Sequence, residues 1–261
     1  LKSNLIKLAV GLISIFALVA CSPSASQLKK TLQENPEILH AAIEADPKGF
    51  FESVQKAQST ARESGMEEQI KEELTRVLKE IKEAKNPIAL DEARAFKGNK
   101  GAKVTILEWA DFKCGYCSKA HDTMKKLVAD YGDKVVVQYK HLPILSEESR
   151  TAAEIMEAIA LQDKEKALQF HDILFAKQNE FRTGGMELIK SIAKEVGADW
   201  AKAQKDAKGP KVKKIIEDDI KQAQEKGFSG TPGFLVNNGG VYGALPYEFF
   251  KQVVDAIEKG G

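Results

Sequence analysis

Cysteine is scarce in this chain: three among 261 residues, at positions 21, 114 and 117. A zinc knuckle draws four ligands, usually from two Cys-x-x-Cys pairs, and the second pair is missing. Charge of either sign is not in excess. The formal net charge of +1 leaves no electrostatic case for nucleic acid. Long apolar runs are missing too: Leu8 to Val19 is apolar for about a dozen residues, short of the roughly 20 that cross a bilayer. Between Gln27 and Lys85 β-branched residues are few and proline occurs only at Pro36 and Pro47, which argues for helix there and against strand.

What is present centres on Val104 to Met124. Its first half is rich in β-branched and aromatic residues, as a buried strand should be, and its second half reads as the opening of a helix. Cys114 and Cys117 sit at the handover. Free N–H groups and partial positive charge at a helix N-terminus favour thiolate over thiol, so Cys114 there is a nucleophile near neutral pH and Cys117 can resolve the mixed disulfide it forms. Two other readings stand beside this one. A metal site could add His121 as a third ligand, but no fourth is offered. A structural disulfide would close a very small loop and stabilise little through chain entropy. Redox chemistry needs no cofactor and no metal, and it is the reading the spacing favours.

Residues 1–20 read as a secretory signal: Lys2 and Lys7 make a basic start, and the apolar run leads into Leu18-Val19-Ala20-Cys21. That ending resembles a bacterial lipobox, which implies cleavage before Cys21, a lipid on Cys21, and a short tether through Ser26. An ordinary signal cut after Ala20 is the alternative. The lipid reading leaves no spare thiol beside the reactive pair. Serine after the cysteine leans toward the outer membrane, on the periplasmic side of the envelope.

Residues 21–86 are expected to form the tether and a helical oligomerisation segment. Asn35-Pro36 and Asp46-Pro47 place an N-cap residue before a first-turn proline, giving three helices, the third running toward Ala84 with a break near Gly65. Met66, Ile70, Leu74, Val77, Ile81 and Ala84 recur at heptad-like spacing between Glu and Lys. Such a seam pairs with other copies, or it lays an amphipathic helix on its own domain. Asn86-Pro87 marks the boundary, with a second domain over 87–261.

In that domain a connector holds Asp91 and Lys97-Gly98-Asn99, and the first strand runs about Lys103 to Trp109. Glu108 is an ionisable residue in an apolar strand, six before Cys114. Buried, its pKa rises and it can exchange a proton with a nearby thiol; at a strand end it would simply face solvent. Val135 to Tyr139 suits a strand buried on both faces. His141 has no nucleophile specified by spacing and reads as structural. Helical periodicity fills Ser146 to Lys226, with an insertion over about 146–208 and a helix returning to the sheet. Gly227 to Val236 carries Thr231-Pro232 at the start of a strand, where proline suggests a special turn or a cis bond. Gly239-Gly240 is expected to turn a hairpin, and Tyr247 to Glu258 to close the chain as an amphipathic helix.

Strand, Cys114-Gly115-Tyr116-Cys117 on a helix, strand, helical insertion, Thr231-Pro232, hairpin and helix together resemble the DsbA/DsbC class of thiol-disulfide oxidoreductases, α/β proteins of thioredoxin fold, over about residues 88–259. The resemblance implies Cys114 as attacking thiolate, Cys117 as resolving thiol, and Glu108 as a proton carrier for Cys117. It further implies that Pro232 is cis and faces the cysteines, that Thr231 offers backbone hydrogen bonds to an extended client, and that Gly115 and Tyr116 tune redox poise. Gly-Tyr with Thr before the proline is similar to the isomerases, whereas an all-helical segment ahead of the domain is closer to ScsC- and Com1-like proteins. The implied function is isomerisation or reduction of disulfides in cysteine-containing client proteins, together with a membrane redox partner and a homo-oligomer. Alternatives are a DsbA-type dithiol oxidase and a non-catalytic client-binding chaperone.

Overall fold

The computed structural model describes residues 24–84 and 88–260, in two compact units that divide between Gly65 and Met66. The signal over residues 1–20, Cys21 and the boundary at Asn86-Pro87 lie outside the described residues.

In the first unit, α1 (Ala25–Glu34) starts in a capping box: Ser24 Oγ accepts from the Gln27 N–H, and Gln27 Oε1 accepts from the Ser24 N–H. Helix α2 (Pro36–Ala45) and helix α3 (Pro47–Glu83) each begin on the expected proline. Asp46 caps α3 by accepting from the Gly49 N–H at 2.9 Å. Asn35 does the opposite of what its position suggests. Its side-chain amide donates back to the Thr31 carbonyl, so it closes α1 and makes no side-chain cap on α2. Helix α3 runs through Gly65 without the expected break. No residue of α1 or α2 is buried, and Leu28, Ile38, Leu39, Phe50 and Phe51 are all exposed.

The second unit is built on a five-stranded mixed sheet. Strands β1 (Phe96–Gly98), β2 (Val104–Ala110), β3 (Val135–His141), β4 (Gly233–Val236) and β5 (Gly239–Tyr242) lie in the order β1-β3-β2-β4-β5. Only β2 and β3 are parallel, and α4 (Gly115–Tyr131) crosses between them. Alternation along β2 sends Val104 and Ile106 to the face covered by α4 and by α10 (Tyr247–Gly260), and Leu107 and Trp109 to the other, with Phe228 and Ala223. Glu108 shares parity with Ile106, so the pleat carries it under α4. Between β3 and β4 the chain forms α5 (Glu147–Ala160), α6 (Lys164–Ala176), α7 (Gln178–Glu195), α8 (Trp200–Ala207) and α9 (Pro210–Glu225), the expected insertion followed by a returning helix.

Three expectations are corrected. Lys97-Gly98, read as connector, lies in β1, where Gly98 is required: its φ is +96° and a Cβ would stand 2.1 Å from the Val135 carbonyl oxygen. The hairpin turns on Asn237-Asn238, both at positive φ, and Gly239-Gly240 lies inside β5. The reason is close approach of α3: a Cβ on Gly239 would meet Val77 Cγ1 at 2.8 Å and Ile81 Cγ1 at 2.9 Å. The same contact answers the seam. Val77 is fully buried, and Ile70, Leu74 and Ile81 pack on the core of this unit, leaving Met66 exposed. Within the second unit, from Ile70 to Ile81, the helix lies on its own domain, and Arg76 and Glu80 bind the Gly240 carbonyl and N–H, at 2.6 and 2.9 Å, along the outer edge of β5.

Behind the sheet runs a buried ionic network that nothing in the periodicity announces. Arg94 reaches Asp219 and Glu157, each at 2.6 Å; Lys140 and the His141 N–H also bind Asp219, and His141 Nε2 meets Glu157 at 2.9 Å. His141 thus has a structural partner. Burial opposes ionisation of Glu157, but Arg94 and His141 outweigh it and bring its pKa to about 2. Replacing Arg94 with Met is expected to cost about 3–5 kcal/mol in urea unfolding, because the buried Asp219 and Glu157 each lose their ion pair with Arg94. That cost should shrink as pH falls from the ordinary carboxylate range toward about 2, since Glu157 then takes up a proton and needs no cation.

Candidate active site

Asp111 shapes the loop between β2 and α4. Its Oδ1 accepts from the Lys113 N–H at 2.8 Å, its Oδ2 from the Leu145 N–H at 2.9 Å, and its carbonyl from the Cys114 N–H at 3.0 Å. Gln178, buried at the start of α7, donates to both the Phe112 and Cys114 carbonyls at 2.9 Å. Phe112 packs among His141, Phe170, His171 and Phe175. None of these three supports was singled out in the sequence. Asp111, three residues before Cys114, carried an Asx-turn signal that could have been read; Gln178 carried none.

With the loop held, Cys114 is the N-cap of α4 and its carbonyl accepts the first helical N–H groups, those of Cys117 and Ser118. Both thiols are free. Cys114 keeps 8% of its surface and Cys117 none, while Tyr116 beside them is 65% exposed. The Cys114 Sγ lies 3.4 Å from the Thr231 carbonyl oxygen, and the Thr231–Pro232 bond is cis. A hundred and more positions of chain therefore close to bring Thr231-Pro232 onto the Cys114 sulfur.

The two thiols are pushed in opposite directions. A hydrogen bond from the Cys117 thiol is the largest influence on Cys114, opposed by burial and aided by the Thr231 side chain and by the Cys117 and Tyr116 N–H groups; the result is a pKa of about 5. Burial, with Cys114 as the anionic neighbour, raises the Cys117 thiol far above its ordinary value. One sulfur is poised as a nucleophile and the other holds its proton until something removes it.

Glu108 lies on the face of β2 that α4 covers. It is fully buried, neither carboxyl oxygen has a hydrogen-bond partner, and burial alone lifts its pKa to about 8. A carboxyl group that gains and loses a proton near neutral pH beneath the helix carrying Cys117 has the property required of a proton acceptor. His121 is not brought to the cysteines; its neighbours are His171 and Asp172, and neither sulfur belongs to that group. The metal reading of Cys114, Cys117 and His121 as one site fails on this geometry.

A family profile described as Thioredoxin matches residues 90–256. The chain belongs to the thioredoxin family. Among relatives of this thioredoxin-family chain, the probable disulfide bond formation protein D of Bacillus cereus is 30% identical over 169 residues, covering 62% of this chain and 76% of that protein. The Na(+)/H(+) antiporter NhaA 3 of Salinispora tropica is 32% identical over 160 residues, 60% of this chain; the match spans only 24% of the antiporter's length. A solved structure of a thioredoxin-like oxidoreductase from Silicibacter pomeroyi superposes with a TM-score of 0.58 at 31% identity, covering 66% of this chain and 95% of that one. The expected thioredoxin fold and family hold.

A raised carboxyl pKa means the folded chain holds a proton the unfolded chain releases. Glu108 therefore favours folding fully below its ordinary value near 4.5, and that contribution is lost as pH rises through about 8. Its contribution should fall across this window by at most about 5 kcal/mol. With the Cys114–Cys117 disulfide closed, so that neither thiol titrates, the stability of the parent relative to Glu108→Gln should fall as pH rises from about 4.5 to about 8, read from chemical unfolding at several pH values.

Proposed function

We propose that this chain is a protein thiol-disulfide oxidoreductase of the bacterial envelope, acting on cysteine-containing client proteins through Cys114 and Cys117. The observation that carries the reading is the opposed ionisation of the two sulfurs beside cis Thr231-Pro232. The Cys114 thiolate attacks a client disulfide, forming an S–S bond to one client sulfur and releasing the other as thiolate. Cys117 then passes its proton to Glu108 in its ionised form and attacks the Cys114 sulfur, breaking the mixed disulfide, which releases the second client sulfur as thiolate and leaves Cys114–Cys117 oxidised and the client reduced. Run backward, the same steps oxidise a client dithiol. Thr231 would hold an extended client through its backbone, with Pro232, Gly115 and Tyr116 lining the approach.

Isomerase or reductase action is supported by Gly115-Tyr116 and by Thr231 before the proline. A second reading, dithiol oxidase, is favoured by the low Cys114 pKa, since a stabilised reduced form makes a pair oxidising. The reduction potential separates them: near about −120 mV supports the oxidase, and toward about −270 mV the reductase or isomerase. Lipid on Cys21 and an outer-membrane location complete the proposal, with a membrane redox partner resetting the pair. Homo-oligomerisation is supported by the exposed apolar side chains of α1 and α2 rather than by the seam of α3.

Changing Cys117 to Ala removes the resolving thiol, so Cys114 should accumulate as mixed disulfides with clients, visible on non-reducing gels and lost on reduction. A folded variant that traps nothing in envelope extracts would contradict the proposal. The chaperone alternative predicts that suppression of client aggregation survives replacement of both cysteines by Ala while disulfide exchange is absent in the parent as well.

A further inference from the structure

Away from the thiol pair, His121 on α4 faces His171 and Asp172 on α6, with one ligating atom of each within 4.8 Å of the others. Both imidazoles are buried.

The spacing decides between two accounts of this cluster. Asp172 Oδ1 lies 3.6 Å from His121 Nε2 and 3.5 Å from His171 Nδ1. Good hydrogen bonds between such groups are about 2.7–3.0 Å long, so the first contact is too long to be one and the second is at the outer limit. Ligands about 2.0–2.1 Å from one tetrahedral zinc ion stand roughly 3.3 Å apart. Both Asp172 contacts have the spacing of ligands on a shared cation, and the ligating atoms of the two imidazoles lie within 4.8 Å of each other.

The nitrogen of His121 that faces the cluster, Nε2, has only the long contact to Asp172, which leaves a buried acceptor without a proper hydrogen bond on the side of the carboxylate. The carboxylate is already turned toward such a cation, because the Lys97 ammonium binds Asp172 Oδ2 and leaves Oδ1 facing the imidazoles, as outer partners orient metal-bound carboxylates. The Asp172 side chain is 24% exposed, which gives an entry path from solvent.

We propose that His121, His171 and Asp172 bind one divalent transition-metal ion of the zinc class, pinning α6 to the helix that carries both thiols. The donor set, two imidazoles and one carboxylate without sulfur, suits zinc, cobalt or nickel rather than calcium or magnesium. It is independent of the redox proposal, and it uses His121 with partners other than the cysteines.

The test titrates the full chain with zinc chloride and cobalt chloride by calorimetry and visible absorption. The Cys114–Cys117 disulfide is first closed and Cys21 alkylated, so that no thiol competes. One equivalent should bind, cobalt should give a tetrahedral spectrum without thiolate charge transfer, and the melting temperature should rise. Asp172→Asn and His121→Gln should each weaken binding about tenfold or more. Should His121→Gln not fold, Asp172→Asn, at a partly exposed side chain, carries the comparison. The proposal is overturned by no saturable binding to the oxidised chain, by undiminished binding in the folded variants, or by binding that appears only after reduction, which assigns the metal to the sulfurs.

Discussion

Negative charge on one sulfur is what the second unit is arranged to hold. A thiolate at Cys114 is stabilised by the Cys117 thiol, by the Thr231 side chain and by N–H groups of the first turn of α4, and burial works against all of them. Each partner is delivered by a different part of the fold. The helix supplies Cys117 and the N–H groups; a loop more than a hundred positions later supplies Thr231; Asp111 and Gln178 hold the turn in which Cys114 sits.

Glu108 follows from the same economy of placement. Strand alternation alone puts it beneath α4, and the apolar residues on that face supply the desolvation that lifts its pKa toward neutrality. The opposite solution is used one residue along, at the C-terminal end of β3, where Arg94, Lys140 and His141 compensate Asp219 and Glu157. One buried carboxyl is left without partners and can move a proton. The others are fully paired and fix the connector before β1 to α5 and α9.

Chemistry-bearing features of the chain were legible because they are local. Cys114-Gly115-Tyr116-Cys117 at a strand-to-helix junction, Glu108 in an apolar strand, and Thr231-Pro232 at a strand start each state their role in a few residues. Capping at Asp46 and the first-turn prolines were legible for the same reason. What could not be read depends on contacts distant in sequence. Gly239-Gly240 looks like a turn until α3 is laid against it, and the seam of α3 looks like an oligomer interface until β5 is there to receive Val77 and Ile81. Strand β1 is three residues long and exists because β3 offers it an edge. Gln178, Arg94 and Asp219 sit in helices or connectors whose periodicity gives no sign that a polar group is buried.

The most direct test is the pH dependence of Cys114 alkylation in the fully reduced chain, with the modified residue identified by mass spectrometry. The account predicts reaction rising with a midpoint near pH 5 while Cys117 stays unreactive. A midpoint near the ordinary thiol value of about 8.5 would show that no thiolate is stabilised at the tip of α4 and would contradict the account.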